Sequence, residues 1–247
     1  MIEALLQQPK KPILFFSGGK DSLATLLLLR PYWDRLQVAW ANPGAPHFET
    51  EEYMRYIAGW VPNFVEIKGD QPNWVRAHGW PADVVPIRTS DAGQVGAGPA
   101  DMKFQPYTDC CWANMGRPMF DYVREHGSTL VIMGQRHDEK LRNRMRDGVL
   151  QTVDGVQYYQ PINDWSASRV LEYIESQGER LPPFYEQGAE SSADCWNCTA
   201  FLDHNGARIK YLKQAQPEKY AVIETVLSAM ASKLAQETAP LFKILGD

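Results

Sequence analysis

The sequence is poor in cysteine. It holds four in 247 residues, Cys110, Cys111, Cys195 and Cys198. That is too few for a disulfide scaffold at this length, and in a reducing compartment metal binding or redox chemistry is the expected use of such a set. Long apolar runs are missing too. The longest, Leu23 to Leu29, falls far short of the roughly 20 residues that span a bilayer. Met1 to Lys11 lacks the basic start and apolar stretch of a secretory signal, so a cytoplasmic protein with no membrane partner is expected. There is no excess of positive charge. The 25 Lys and Arg against 30 Asp and Glu leave a net charge of −5, so no global field draws the chain to nucleic acid or an anionic membrane. Internal repeats and low-complexity tracts are absent. What remains is an ordinary globular composition, long enough for one or two domains and a sizeable core without covalent help.

Strand-like and helix-like segments alternate through the first two thirds. Pro12 to Phe16 reads as an apolar strand entering the glycines of Ser17–Ser22, and Asp21 to Arg30 as a helix stopped by Pro31. Leu36 to Ala41 is a second strand, Glu49 to Trp60 a helix and Phe64 to Ile67 a third strand. Met115 to His126 is a helix and Thr129 to Met133 a fourth strand. This order predicts an α/β fold, a doubly wound, mostly parallel sheet whose ligand sits beyond the carboxyl ends of its strands. Thr89 to Pro106 holds Gly93, Gly96, Gly98, Pro99 and Pro106 without a period and is expected to be a mobile loop, a lid. After Gly134 the chain is expected to be helical, with helices at Ser166–Gln177, Ala207–Gln214 and Glu218–Leu234. This helical C-terminal third is expected to pack on the sheet.

Ser17-Gly18-Gly19-Lys20-Asp21-Ser22 is the sharpest signal. Two glycines let backbone amides approach a phosphate closely. The helix that follows aims its unpaired N–H groups and partial positive charge at the same point. Lys20 adds a full charge and Ser17 and Ser22 add hydroxyls, while Asp21 suits a cap or a magnesium-side acceptor. A plain strand-to-helix turn would not ask for the lysine and both serines. The Walker spacing is not met. The motif resembles instead the loop of the PP-loop ATP pyrophosphatases, which include the phosphoadenylyl-sulfate (PAPS) reductases and several thiolating enzymes. The resemblance implies an adenine nucleotide alpha hydrolase-like fold, ATP as substrate and Mg2+ as companion. It also implies attack at the α phosphorus with release of pyrophosphate.

Weaker matches follow along the chain. Trp40-Ala41-Asn42-Pro43-Gly44 and Phe48-Glu49-Thr50 resemble the family's second-strand motif, with Asn42 and Pro43 replacing its Asp and Thr. Gly134-Gln135-Arg136-His137-Asp138-Glu139-Lys140 resembles its Gly-x-Arg-x-Asp-Glu segment. The resemblance implies Arg136 as a ligand of the α phosphate, joined at the nucleotide by Asn42 and Gly134, with Lys20, Asp21 and Arg136 as the catalytic set. Arg142, Arg144 and Arg146 extend the basic run and suit a second, anionic substrate. Tyr159–Trp165 and Pro182–Gly188 also resemble family segments, so the likeness covers most of Ile13 to Thr199. The domain reading is a nucleotide-binding unit over residues 1–200, with a helical segment over 201–247 packed on it.

The cysteines fall into two tight pairs, Cys110-Cys111 and Cys195-x-x-Cys198. Adjacent Cα atoms lie about 3.8 Å apart, below the roughly 4.4–6.8 Å that a disulfide prefers. Two pairs brought together make a four-thiolate site suited to zinc or an iron–sulfur cluster. Adjacent cysteines diverge poorly onto one small ion, whereas the irons of a cluster lie apart. Zinc and redox-active dithiols stay open on this reading. The pattern also resembles that of bacterial adenylyl-sulfate (APS) reductases, which implies a 4Fe-4S cluster on Cys110, Cys111, Cys195 and Cys198. In those relatives a basic residue and a proline lie near the first pair, and Arg117-Pro118 is the counterpart here. Their C-terminal Glu-Cys-Gly-x-His nucleophile has no counterpart in this sequence. The expectation is therefore an ATP pyrophosphatase that adenylates an acceptor for sulfur transfer. Alternatives are a PAPS- or APS-type reductase and a non-catalytic nucleotide- and redox-sensing module. The acceptor, the sulfur donor or reductant, and the oligomeric state are left open.

Overall fold

In the computed structural model, which describes residues 2–7, 9–139, 148–189, 192 and 194–246, a short helix α1 (Ile2–Leu5) precedes strand β1 (Ile13–Phe15). Then come α2 (Lys20–Leu28), a 3-10 segment Arg30–Arg35, β2 (Gln37–Asn42), α3 (Phe48–Ala58), β3 (Phe64–Lys68) and α4 (Gln71–His78). β4 (Trp80–Ala82), α5 (Asp91–Ala97) and β5 (Phe104–Pro106) follow. α6 (Tyr107–Cys111) runs through a π turn, Trp112–Gly116, into α7 (Arg117–His126). The chain closes with β6 (Leu130–Met133), β7 (Leu150–Val153), β8 (Val156–Tyr159), α8 (Ala167–Ser176), α9 (Leu202–Ala215) and α10 (Pro217–Leu245).

Six strands form one sheet in the order β3-β2-β1-β6-β8-β7, parallel except for the β7–β8 hairpin. β1 is central because Ile13 and Leu14 are fully buried, each facing a different layer. On one face Leu14 and Phe16 pack with Leu23, Leu26 and Leu27 of α2, Met54 and Ile57 of α3, and Val170 and Ile174 of α8. On the other, Ile13, Ala39, Val131 and Tyr158 meet Val123 of α7. The chain crosses from the β2 side of β1 to the β6 side, so β1 and β6 flank the switch point where doubly wound sheets bind ligands.

The structure corrects three expectations. Residues 89–106 are not an open lid. Ile87–Thr89 is a 3-10 turn, and Ser90 caps α5 through its Oγ, which accepts from the Gly93 N–H at 3.0 Å. β5 then pairs with β4. The Glu237 carboxylate of α10 accepts from the Ile87 and Arg88 amides, both at 2.8 Å, a tertiary clamp with no local sequence signature. The region after Gly134 is not all helical, because it contains the β7–β8 hairpin. Finally, of the C-terminal helices α8 packs on the large sheet as expected, whereas among the described residues α9 and α10 pack elsewhere. Val226 and Met230 of α10 cover Ala82 and Phe104 of the small β4–β5 sheet, and Ile223 meets Ile209 and Leu212 of α9. Among the described residues no helix is long and apolar enough to cross a membrane.

Candidate functional site

β1 delivers Phe16 to the loop, and Gly18 turns it at φ 77°. A Cβ there would stand 2.8 Å from Met54 Cε, which can move aside, so it is the left-handed conformation that favours glycine. Ser22 Oγ donates to the Gly19 carbonyl at 2.9 Å and lies 3.2 Å from Ser17 Oγ, which accepts from the Gly19 N–H at 3.4 Å. The two predicted serines thus brace the loop. Its amides open the helix end of α2, where Lys20 N–H donates to Tyr185 Oη at 3.0 Å. Tyr185 reaches in from a 3-10 turn, Pro183–Tyr185, and the Lys20 ammonium lies 6.0 Å from its ring centre. Burial pushes the Tyr185 phenol well above its ordinary range.

Asp21 is buried beneath the loop. Its Oδ2 is 3.1 Å from Lys20 Nζ, and its Oδ1 accepts from Arg136 Nε at 2.5 Å. Arg136, 5% exposed, also donates to Asp138 Oδ1 and to the Trp165 carbonyl at 3.5 Å. The structure therefore brings Lys20, Asp21 and Arg136 together, with Arg136 turned onto two carboxylates. Gly134 comes from the end of β6 and lies flat against α2, where a Cβ would meet the Asp21 carbonyl oxygen at 2.5 Å. Asn42 stands at the end of β2 and forms a turn. Its Oδ1 accepts from the Gly44 N–H at 2.9 Å and its amide donates to Glu66 Oε1 at 2.5 Å. Both Asp21 oxygens face cations in this arrangement. Arg142, Arg144 and Arg146 lie outside the described residues.

The two cysteine pairs, distant in sequence, line one small cavity with Gln71 and Asn114. All four are free thiols. Cys110 and Cys111 end α6, and the π turn carries Asn114, whose amide donates to the Cys110 carbonyl at 2.9 Å and lies 3.9 Å from its sulfur. The second pair is held against the segment after β2. Pro46 bridges Cys195, Trp196 N–H donates to the Ala45 carbonyl at 3.0 Å, and His47 N–H donates to the Asp194 carbonyl at 2.9 Å. From α9, Arg208 donates to the carbonyls of Cys195 and, at 3.2 Å, Cys198. Asn205 approaches Cys198 Sγ at 3.6 Å.

Burial raises all four thiols, Cys110 to about 11 and Cys111 to about 12, with the charge of a neighbouring cysteine adding to these two. Cys195 is pushed well above its ordinary value. Cys198 is raised as well, against the opposing pull of Arg208. Ionising four such thiols together needs a cation between them. A set of four sulfurs suits zinc or an iron–sulfur core, so the donor set fits the implied cluster. As the side chains stand, among the described residues no group of three or more His, Cys, Asp or Glu is arranged to hold a single metal ion. All four cysteines nevertheless line the same cavity.

Arg117 does not join them. It is 72% exposed and 3.6 Å from Asp121 on its own helix. The sequence reading missed Arg208, Asn205 and Asn114, which carry no motif, and gave no role to Tyr185 although its segment Pro182–Gly188 resembles a family segment. It also missed His47, which is fully buried between Phe48, Phe184 and Tyr211 and has no hydrogen-bond partner for either ring nitrogen among the described residues. Burial, aided by the charges of Arg208 and Lys219, lowers its pKa to about 4.

Residues 82–201 match the family model of the phosphoadenosine phosphosulfate reductase domain. The matched stretch holds both cysteine pairs and lies after the Ser17–Ser22 loop. An uncharacterized protein of Methanocaldococcus jannaschii is 24% identical over 204 residues, which are 80% of this chain. The chain spans only 43% of that relative's length. Among solved structures, the phosphoadenylyl-sulfate reductase of Candida auris in its phosphate complex superposes with a TM-score of 0.55 at 14% identity. That match covers 78% of this chain and 85% of that one and shows a shared fold. A U34-tRNA thiolase from Methanococcus maripaludis with its 4Fe-4S cluster gives a TM-score of 0.47 at 13% identity, over 92% of this chain and 74% of that one.

Proposed function

We propose that this chain binds ATP on the Ser17–Ser22 loop and adenylates an acceptor in a sulfur-transfer reaction, with Cys110, Cys111, Cys195 and Cys198 holding a 4Fe-4S cluster. The observation that carries the reading is the loop itself: two glycines, a lysine and a helix N-terminus at the switch point, walled by Gly134 from β6. An oxygen of the acceptor attacks the α phosphorus, the bond to the bridging oxygen breaks, and pyrophosphate leaves with the electron pair. Attack by a sulfur nucleophile on the activated acceptor carbon then expels AMP. Lys20 and the loop amides hold the β and γ phosphates and take up the charge that develops on them. Arg136 fixes Asp21, and Asp21 in turn orients Lys20. Arg136 reaches the α phosphate itself only if it leaves one of its carboxylates. Asn42 supports the turn beside the nucleotide. When bound, the cluster supplies electron transfer or sulfide handling.

The sulfonucleotide-reductase reading is favoured by one observation, the family-model match over residues 82–201. Against it, all four cysteines of the sequence line one cavity, which leaves no separate thiol to attack a sulfate sulfur. Pyrophosphate release from ATP, lost in Lys20→Ala, supports adenylation. Thiol-dependent sulfite release from a sulfonucleotide would replace it with reduction. Tight ATP binding without turnover would point to a sensing module. Anaerobic iron and sulfide analysis tests the cluster, and a colourless protein with stoichiometric zinc would exclude it.

A further inference from the structure

The family-model match ends at residue 201, yet two side chains that grip the second cysteine pair, Asn205 and Arg208, come from α9 beyond it. Arg208 is 4% exposed. Its guanidinium spans the carbonyls of Cys195 and Cys198, and its Nε has no hydrogen-bond partner among the described residues. Two peptide dipoles are weak compensation for a buried full charge. The groups that could balance it are the sulfurs of the same turn and the neighbouring buried Asp194 carboxylate.

We infer that Arg208 is the positioning residue of the cysteine site: it clamps the backbone of the Cys195–Cys198 turn and sets a positive charge beside the thiols of that turn. This rests on the cluster reading given above. The fork of Arg fits two carbonyls at once, which a lysine cannot reproduce. A fixed positive charge in a dry site favours the more negative, reduced state of any metal core held there, because the interaction is poorly screened. The clamp and the charge are separable. The clamp governs how readily ligands let go of iron, and the charge governs the reduction midpoint.

The test uses the full chain, reconstituted anaerobically with iron and sulfide, as wild type, Arg208→Met and Arg208→Lys. Iron release to a ferrous chelator is followed by absorbance, and the midpoint by a dithionite titration read by electron paramagnetic resonance. Arg208→Met is expected to release iron about tenfold faster and to shift the reduction equilibrium about tenfold toward the oxidised state, about 59 mV for a one-electron couple. Arg208→Lys is expected to restore the midpoint while iron release stays fast. If Arg208→Met does not fold, the Lys variant carries the clamp test alone through its iron release. Wild-type release rates in both variants overturn the clamp, and a wild-type midpoint in Arg208→Met overturns the charge. Failure of the wild type itself to take up iron instead refutes the cluster reading, and this inference falls with it.

Discussion

Replacing Arg136 by Met is the sharpest test of the nucleotide site. The substitution keeps much of the volume and removes the cation 2.5 Å from Asp21 Oδ1. Asp21 stays buried, and breaking a buried pair from one side costs about 3–5 kcal/mol, because the remaining charge is left without its partner. Lys20 Nζ still stands 3.1 Å from Oδ2, so the low end, about 3 kcal/mol, is expected. For a domain of this size that corresponds to a fall of roughly 6–12 °C in the melting temperature. Asp21→Asn is expected to cost less, because Arg136 keeps Asp138. The double variant should recover at least about 2 kcal/mol of the summed losses. Urea denaturation of the four proteins gives the coupling, and ATP titration should show Arg136→Met binding about tenfold more weakly as Asp21 draws Lys20 toward itself. Losses that add within about 0.5 kcal/mol would refute the pairing as the organising contact of this site.

Gly134→Ala places a methyl 2.5 Å from the Asp21 carbonyl oxygen, so the first turn of α2 must shift. A loss of about 1–3 kcal/mol with weaker ATP binding is expected, and an unchanged melting temperature would contradict the close approach. Tyr185→Phe removes the hydroxyl that accepts from the Lys20 N–H, and ATP should bind about fivefold tighter, the worth of one competing hydrogen bond of about 1 kcal/mol. Weaker binding would make Tyr185 a ligand rather than a competitor. For His47, lowered from 6.5 to about 4 by burial, the unfolded chain takes up a proton between those values and the folded chain does not. Stability is therefore full above pH 6.5 and declines as pH falls toward 4, by up to about 3 kcal/mol. His47→Phe should flatten that decline in denaturant midpoints at pH 7 and 4.5, and parallel slopes in variant and wild type would reject the assignment.

The central sheet was legible because its strands are continuous apolar runs and its breaks are chemical: Pro31, then Asn42-Pro43-Gly44. The phosphate loop was legible because amide access demands glycine at Gly18, whose φ is 77°. The β7–β8 hairpin was legible too, through Asp154-Gly155 at φ 50° and 79° between alternating residues, a turn signal that the helical reading passed over. The order in residues 89–106 was not legible. It depends on Glu237, about 150 residues away, accepting two amides. Arg208 escaped for a similar reason. An arginine on an amphipathic helix looks solvated until the fold lays two cysteine carbonyls across it. Arg117, adjacent to a proline and near the first pair, looked the better candidate and faces water.

The central place of β1 has a consequence for how the chain acquires its site during synthesis. Ile13 pairs with Gln37 on one side and Val131 on the other. The first pairing closes a short loop, available once the opening segment has left the ribosome. The second closes one several times longer, and such non-local contacts form late. The phosphate loop rides on β1, but its wall, Gly134, arrives with β6. A nascent chain can thus hold the glycines, the lysine and α2 in place well before the cradle that fixes Asp21 exists.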